Sequence, residues 1–163
     1  MLAPKAVGPE LDLGTRLIPT TFFNTSSGRD ALSALIRDTL SFASPYIVAG
    51  TPFLYEATPG ATSVTPAWRD SVWHLSVKWQ FSYNDTLAER TAGYETLTAH
   101  AQKFRDLTPG SGAYFVSVAA LLAAREAWGL TRHAQNEGDV YEPHHEFAYW
   151  GDNYPKLLEV KRK

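Results

Sequence analysis

The sequence predicts an α+β fold, in which strands and helices mix without the regular alternation of βαβ units. Residues 71–83 alternate apolar and polar side chains with a strict period of two, which is typical of a strand. Residues 27–42 and 85–106 instead place their apolar side chains along one helical stripe. With 163 residues, 44% of them hydrophobic, the chain is long enough for one domain with its own core.

The N-terminal part predicts a short strand followed by an amphipathic helix. Residues 1–15 are expected to be irregular, and the apolar, β-branched run 16–23 to form a strand with Pro19 at an edge or bulge. Ser27 and Asp30 have the spacing of a capping box. The helix that follows extends to about Phe42. Its apolar face comprises Ala31, Leu32, Leu35, Ile36 and Thr39.

The central part predicts two further strands. Residues 46–48, continuing toward Tyr55, form one, and a turn-rich loop follows. The strand 71–83 has a bulky apolar face made of Trp73, Leu75, Val77, Trp79, Phe81 and Tyr83. Its other face carries Val72, His74, Ser76, Lys78, Gln80 and Ser82. In a sheet covered by helices on one side, the apolar face meets the helices, and the polar face lines a cavity or solvent.

The remaining elements are helical. The stripe in 85–106 predicts a long helix that ends before Pro109. A final helix is expected to begin near Asn153, with Pro155 tolerated in its first turn. The basic residues at its end complement a helix C-terminus.

Composition excludes several classes of partner and site. The formal net charge of −2 gives no basic field that would attract nucleic acid or an anionic membrane. Cysteine is absent, which removes disulfides and cysteine-based metal sites. No run approaches the ~18 apolar residues of a membrane span, and the N-terminus lacks the apolar core of a signal peptide. Localisation is left undetermined.

A series of motifs near the C-terminus resembles one enzyme family. The motifs are NEGD at 136–139, EP at 142–143, WGDNYPKLL at 150–158 and a basic end at 161–163. Together they resemble the C-terminal signature of the berberine-bridge-enzyme-like FAD-linked oxidases. Upstream, RLIP at 16–19, TPAWRDSVWH at 65–74 and LTPGSGAY at 107–114 are similar to the fungal members. The resemblance therefore covers nearly the whole chain.

The resemblance implies a fold, a cofactor and an activity. It implies an antiparallel sheet with helices packed on one face, and it identifies residues 16–163 as a substrate domain. Members are several times longer and begin with a p-cresol-methylhydroxylase-type domain that holds FAD, whereas this sequence has no glycine-rich phosphate-binding fingerprint. We therefore expect two partners, a small-molecule substrate and a separate FAD-binding domain. The implied activity is oxidation of an alcohol or C–H bond in secondary metabolism, with O₂ as electron acceptor.

An interruption divides the motif that carries the implied chemistry. Family members have one residue between the tyrosine and the asparagine, whereas Tyr114 and Asn136 flank residues 115–135 here. Residues 116–135 therefore form an insert of 20 residues. Its first two codons, for Val116 and Ser117, can carry the GTNAGY splice signal, and its last codon, for Gln135, can be CAG. Leu130–Thr131 can supply a CTNAC branch sequence, so we interpret the segment as a retained intron. The alternative is a genuine insertion that forms an alanine- and leucine-rich surface helix.

Candidate site residues follow from the resemblance and from side-chain chemistry. By resemblance, Tyr114 is a catalytic and flavin-contacting residue, and Asn136 contacts the flavin. His74 is a candidate base because imidazole titrates near neutral pH. The carboxylates Glu137, Asp139 and Glu142 can act as bases, but such residues more often fix loops through backbone N–H groups. No metal site is expected, since the adjacent His144 and His145 project in different directions.

A reading from a different class stays open. The chain can be a catalytically inactive, truncated relic, or a domain without flavin that binds a small hydrophobic molecule. Flavin absorbance in the purified protein separates these alternatives from an oxidoreductase.

Overall fold

A computed structural model describes residues 10–49, 56, 58, 60–82, 84–114, 142 and 144–163, with only the backbone of residues 10 and 11. The strands are β1 (Glu10–Pro19), β2 (Ala43–Ile47) and β3 (Ser71–Phe81). The α-helices are α1 (Thr21–Asn24), α2 (Ser26–Thr39), α3 (Leu87–Leu107), α4 (His145–Trp150) and α5 (Tyr154–Lys161). Two 3₁₀-helices span Pro66–Asp70 and Gly151–Asn153. The described elements confirm the predicted α+β class.

The three described strands form one antiparallel sheet with the order β1-β3-β2. The predicted strand 71–83 is therefore the central one. It ends at Phe81, and Tyr83 lies outside the described residues. The predicted strand 46–48 occurs as β2, which begins earlier, at Ala43.

The first strand differs from its predicted bounds. It begins at Glu10 rather than residue 16, so residues 10–15 pair with β3 instead of being irregular. It also ends at Pro19, where the register with β3 shifts, and the Thr20 N–H donates to Asp70 O at 2.8 Å. The prediction that 16–23 is one strand was wrong, because the chain turns at Thr20 and continues as helix α1.

Helices α2 and α3 match their predicted positions but begin with different caps. Thr25, not Ser27, caps α2: its hydroxyl accepts from the Gly28 N–H at 3.1 Å. Helix α3 begins with a capping box in which Thr86 and Glu89 exchange hydrogen bonds. Each cap supplies partners for N–H groups that a helix leaves unpaired in its first turn.

Both long helices cover the apolar face of the sheet, as the alternation in β3 predicts. The core contains Ile18, Leu75 and Val77 from the sheet and the following residues from the helices: Leu32, Leu97, Ala101 and Phe104. Two glycines permit the close approach of α3. A Cβ on Gly14 would lie 2.8 Å from Ala101 Cβ, and a Cβ on Gly93 would collide with the Trp79 ring.

The C-terminal segment packs beside the sheet through a second small cluster of Ala113, Ala148 and Tyr149. Helix α5 begins at Tyr154 with Pro155 in its first turn, which confirms the expectation for the final helix. Among the described residues, no helix has the length and apolar character needed to cross a bilayer.

The core assignment predicts unequal effects for neighbouring residues of β3. Trp79 packs against the helices, whereas Lys78 is exposed on the opposite face. We expect Trp79→Ala to lower the free energy of unfolding by about 3 kcal/mol and Lys78→Ala to change it by less than about 0.5 kcal/mol. Urea denaturation measures both. Equal small effects would show that the helix-covered face is assigned incorrectly.

Candidate functional site

The sheet face opposite the helices carries a cluster of rings around His74. The centroid of the His74 ring lies 5.5 Å from those of Trp68 and Tyr114, and 6.0 Å from that of Tyr46. Trp68 and Tyr114 also contact each other edge to face, at 5.8 Å. We call these four residues the ring cluster. They come from four separate segments of the chain.

Local structure explains how each ring reaches His74. Tyr46 is the register partner of His74 across β2 and β3, so both side chains project to the same face. Trp68 lies on the 3₁₀-helix just before β3. That helix is capped by the Thr65 hydroxyl, which accepts from the Ala67 N–H, and is tied to β3 where Ser71 Oγ donates to Ala67 O at 2.7 Å.

Burial keeps His74 neutral. Its Nε2 atom is enclosed and has no hydrogen-bond partner among the described residues. Desolvation lowers the pKa of His74 from 6.5 to about 4, because an apolar surrounding disfavours the charged imidazolium. The neutral ring offers one acceptor and one donor nitrogen. Near pH 7 it can therefore accept a hydrogen bond or a proton, although at this pKa it is a weak base.

Tyr114 lies at the end of a segment that runs along the free edge of β1. The Leu17 N–H donates to Gly112 O at 2.8 Å, and Ser111 Oγ donates to Leu17 O at 2.6 Å. The Tyr114 N–H donates to Thr15 Oγ1 at 2.9 Å. These bonds make residues 111–114 an irregular extension of the sheet. They bring Tyr114 to the ring cluster with 37% of its surface still exposed.

The structure brings together two of the three predicted site residues. His74 and Tyr114 are in ring contact, while Asn136 lies outside the described residues, as do Glu137, Asp139 and the insert 116–135. Sequence reasoning placed Trp68 in the core or a pocket wall and gave Tyr46 no site role. Tyr46 lies within the strand predicted at 46–48, but its contact with His74 depends on the register of β2 with β3, which local sequence does not determine.

Glu142 lies in a buried ion network rather than on loop backbone. Its Oε2 accepts from Arg105 Nε at 2.8 Å and from Arg16 Nη1 at 3.4 Å, and all three side chains are at least 93% buried. Among the described residues its hydrogen-bond partners are these two guanidinium groups. This corrects the expectation that Glu142 fixes its loop through backbone N–H groups.

Arg16 extends this network to the turn before Tyr114. Its Nη2 donates to Thr108 O at 2.9 Å and to Pro109 O at 3.2 Å. The network therefore joins β1, the end of α3, the 108–114 segment and Glu142. Glu142 belongs to the EP motif, so the network links the C-terminal signature to the segment that carries Tyr114.

A separate cavity of about 280 Å³ lies between the Pro66–Asp70 helix, residues 110–112 and the C-terminal segment. His74 and Tyr114 do not line it, so it is distinct from the ring cluster. No group of three or more metal-ligating side chains occurs in the part of the chain that the structure describes.

The described residues fit only part of an FAD molecule. A planar ring system suits the aromatic surface around Tyr114, which is partly exposed. An anchor for the pyrophosphate is not seen among them. The Glu89 carboxylate occupies the N-terminus of α3, and the close spaces at Gly14, Gly28, Gly93 and Gly112 are filled by the chain's own atoms. Among the described residues, the surface around Tyr114 would suit the isoalloxazine ring, and no group placed to hold the ADP half is seen.

The ion network predicts a large loss of stability for Glu142→Ala. Removing the carboxylate leaves two guanidinium groups buried without the partner they share, which costs about 3–5 kcal/mol. Glu159→Ala, on the exposed side of α5, is the matched control and should cost less than about 0.5 kcal/mol. Chemical denaturation at pH 7 compares them. A loss below about 1 kcal/mol for Glu142→Ala would contradict the network's structural role.

Burial of His74 predicts a defined pH dependence of stability. Its pKa is 6.5 in the unfolded chain and about 4 in the folded one, so the unfolded chain binds more protons between these values. Stability is full above pH 6.5 and falls as the pH drops toward 4, by at most about 3 kcal/mol. His74→Phe should remove this part of the pH dependence.

His100 needs its own control in that experiment. Desolvation and the nearby Lys103 charge also lower the pKa of His100, so it acts in the same direction. Denaturation from pH 7 to 4 should therefore be compared in a His100→Gln background, with and without His74→Phe. Identical pH profiles in the two proteins would show that His74 is not buried in its neutral form.

Comparison with known proteins supports the resemblance to FAD-linked oxidoreductases. The family model described as "Berberine and berberine like" matches residues 135–163. The FAD-linked oxidoreductase ffsJ of Aspergillus flavipes is 33% identical over 102 residues, which are 63% of this chain and 13% of that protein. The FAD-linked oxidoreductase OXR2 of Pyricularia oryzae is 27% identical over 151 residues, 91% of this chain and 22% of that protein.

A solved structure supports the fold independently. The VAO-type flavoprotein MtVAO713 from Myceliophthora thermophila C1 superposes with a TM-score of 0.64 at 21% identity, over 96% of this chain and 24% of that one. The chain thus spans less than a quarter of each of these three proteins. The family-model match at the C-terminus, the fungal relatives and the shared fold confirm the resemblance of this chain to the fungal-type FAD-linked oxidoreductases of the berberine-bridge-like family.

Proposed function

We propose that this chain supplies the substrate-facing surface of an oxidoreductase that oxidises an alcohol or C–H bond of a small organic molecule. The oxidation belongs to secondary metabolism, and O₂ reoxidises the flavin. The ring cluster is the observation that carries this proposal. It joins a neutral imidazole and a partly exposed phenol on the sheet face left uncovered by α2 and α3.

The ring cluster suits binding and proton handling. FAD, held by another domain, supplies the acceptor for the hydride. Tyr114 contributes a phenol that can contact both substrate and flavin, and Asn136 is proposed to contact the flavin as well. His74 accepts a proton or a hydrogen bond from the substrate hydroxyl. Because its Nε2 is enclosed, the groups around it must move before substrate reaches that atom.

The aromatic rings around His74 also restrict the charge of the substrate. Trp68, Tyr46 and Tyr114 present ring surface, and among the described residues no charged side chain is in ring contact with His74. A charged substrate group would lose hydration there without gaining a partner. The proposed substrate is therefore uncharged at the reacting end.

The proposal predicts that FAD binding depends on a second domain. The described residues cover a flavin without anchoring its ADP half, so the isolated chain should show no saturable quenching of flavin fluorescence at micromolar FAD. Mixing it with the flavin-binding domain of a fungal relative should produce a complex that quenches flavin fluorescence. Tight binding of FAD by the isolated chain would contradict the proposal that a second domain holds the cofactor.

Two variants sharpen the test. Deleting residues 116–135 should strengthen association with the flavin-binding domain, because it restores the spacing of Tyr114 and Asn136. Tyr114→Phe keeps the ring and removes only the hydroxyl, so the complex should still form but consume less O₂ with alcohol substrates.

A complex that forms and binds FAD but oxidises nothing would favour the inactive-relic alternative. A colourless chain that binds small hydrophobic molecules alone would favour the non-flavin alternative.

A further inference from the structure

Thr15 occupies an unusual place in β1. It is 2% exposed and pairs in register with Ser76, on the same side of the sheet as His74. A buried hydroxyl in a strand requires a hydrogen-bond partner. The side chain of Thr15 finds that partner in the backbone of Tyr114.

Both backbone polar groups of Tyr114 bind this one hydroxyl. The Tyr114 N–H donates to Thr15 Oγ1 at 2.9 Å, and Thr15 Oγ1 donates to Tyr114 O at 3.2 Å. Two residues earlier, the strand-like bond from the Leu17 N–H to Gly112 O holds the same segment. In a regular antiparallel strand, the N–H and C=O of Tyr114 would bond to the backbone of β1. Here both groups bond to the Thr15 hydroxyl instead.

This arrangement fixes the direction of the phenol. Hydrogen bonds to both the N–H and the C=O of one residue restrain the two peptide planes that flank its Cα. In the described part of the chain, Thr15 is the one residue that hydrogen-bonds to the Tyr114 backbone. The Tyr114 ring extends from this restrained backbone to contact both His74 and Trp68.

We propose that Thr15 is a positioning residue that holds Tyr114 over His74. This inference rests on the proposed function, in which Tyr114 and His74 act together on substrate. The Thr15 hydroxyl acts through the Tyr114 backbone, so a side chain of equal shape without the hydroxyl should release the phenol.

The test compares three variants of the chain by NMR without FAD or substrate. Thr15→Val keeps the shape and removes the hydroxyl, whereas Thr15→Ser keeps the hydroxyl. The control is Thr39→Val, because Thr39 is also fully buried and donates to Leu35 O at 2.8 Å, on a helix away from Tyr114. The readouts are the NOE between the Tyr114 and His74 rings, the titration of His74, and the free energy of unfolding.

Thr15→Val should lose the inter-ring NOE and shift the His74 titration upward from about 4 by roughly one pH unit, since a looser ring cluster desolvates the imidazole less. Thr15→Ser and Thr39→Val should keep both signals. If Thr15→Val loses stability like Thr39→Val but keeps the NOE and the titration, the hydroxyl is merely structural and the proposal is overturned.

A measurement on the unmodified chain covers the case in which Thr15→Val does not fold. The Tyr114 amide should exchange with solvent at least tenfold more slowly than an exposed amide, because Thr15 protects it. Exchange at the rate of an exposed amide would overturn the proposal. Both measurements are independent of flavin, so a negative FAD result removes the proposed function without deciding the role of Thr15.

Discussion

The central position of β3 is the constraint on which the rest of the structure depends. Both edges of β3 are paired, so its side chains project only to the two faces of the sheet. Leu75 and Val77 take one face and recruit α2 and α3, which bury them completely. His74 then has to lie on the other face, away from the main core. The alternation of side chains along β3 thus builds the core on one face and places the candidate site on the other. Substitutions on the helix-covered face are therefore expected to affect stability, and those on the opposite face to affect chemistry.

The buried ion network of Arg16, Arg105 and Glu142 holds together segments that are distant in sequence, next to the sheet face that carries His74. Arg16 and Glu142 are 126 residues apart in sequence, and apolar packing of the small C-terminal cluster alone would leave their relative placement loose. A buried guanidinium needs oxygen acceptors in place of water, and these must lie at suitable distances and angles. Few arrangements of the surrounding segments meet this requirement. Arg16 finds them at Thr108, Pro109 and Glu142. The network therefore specifies the position of the turn that leads to Tyr114.

Sequence reasoning predicted the features that depend on local periodicity. The two faces of β3, the stripes of α2 and α3 and the start of α5 near Pro155 were all found this way. The start of β1 was missed because Asp12 and Gly14 are poor strand formers, and pairing with β3 decides their conformation. The roles of Glu142 and Thr15 could not be found, since both depend on contacts between residues that are 37 to 126 positions apart. The assignment as a substrate domain, the intron hypothesis and the role of Asn136 stay predictions.

Burial makes His74 both neutral and weakly basic. It lowers the pKa of the imidazole to about 4, so near pH 7 the ring can accept a hydrogen bond without carrying a charge. Its Nε2 atom is enclosed and has no hydrogen-bond partner among the described residues. In the proposed function, a substrate hydroxyl that displaces the partly exposed Tyr114 ring would give Nε2 a hydrogen-bond donor at the moment the ring moves. The energy released by satisfying a buried, unpartnered nitrogen would then favour binding of molecules that carry a donor at that position over those that lack one.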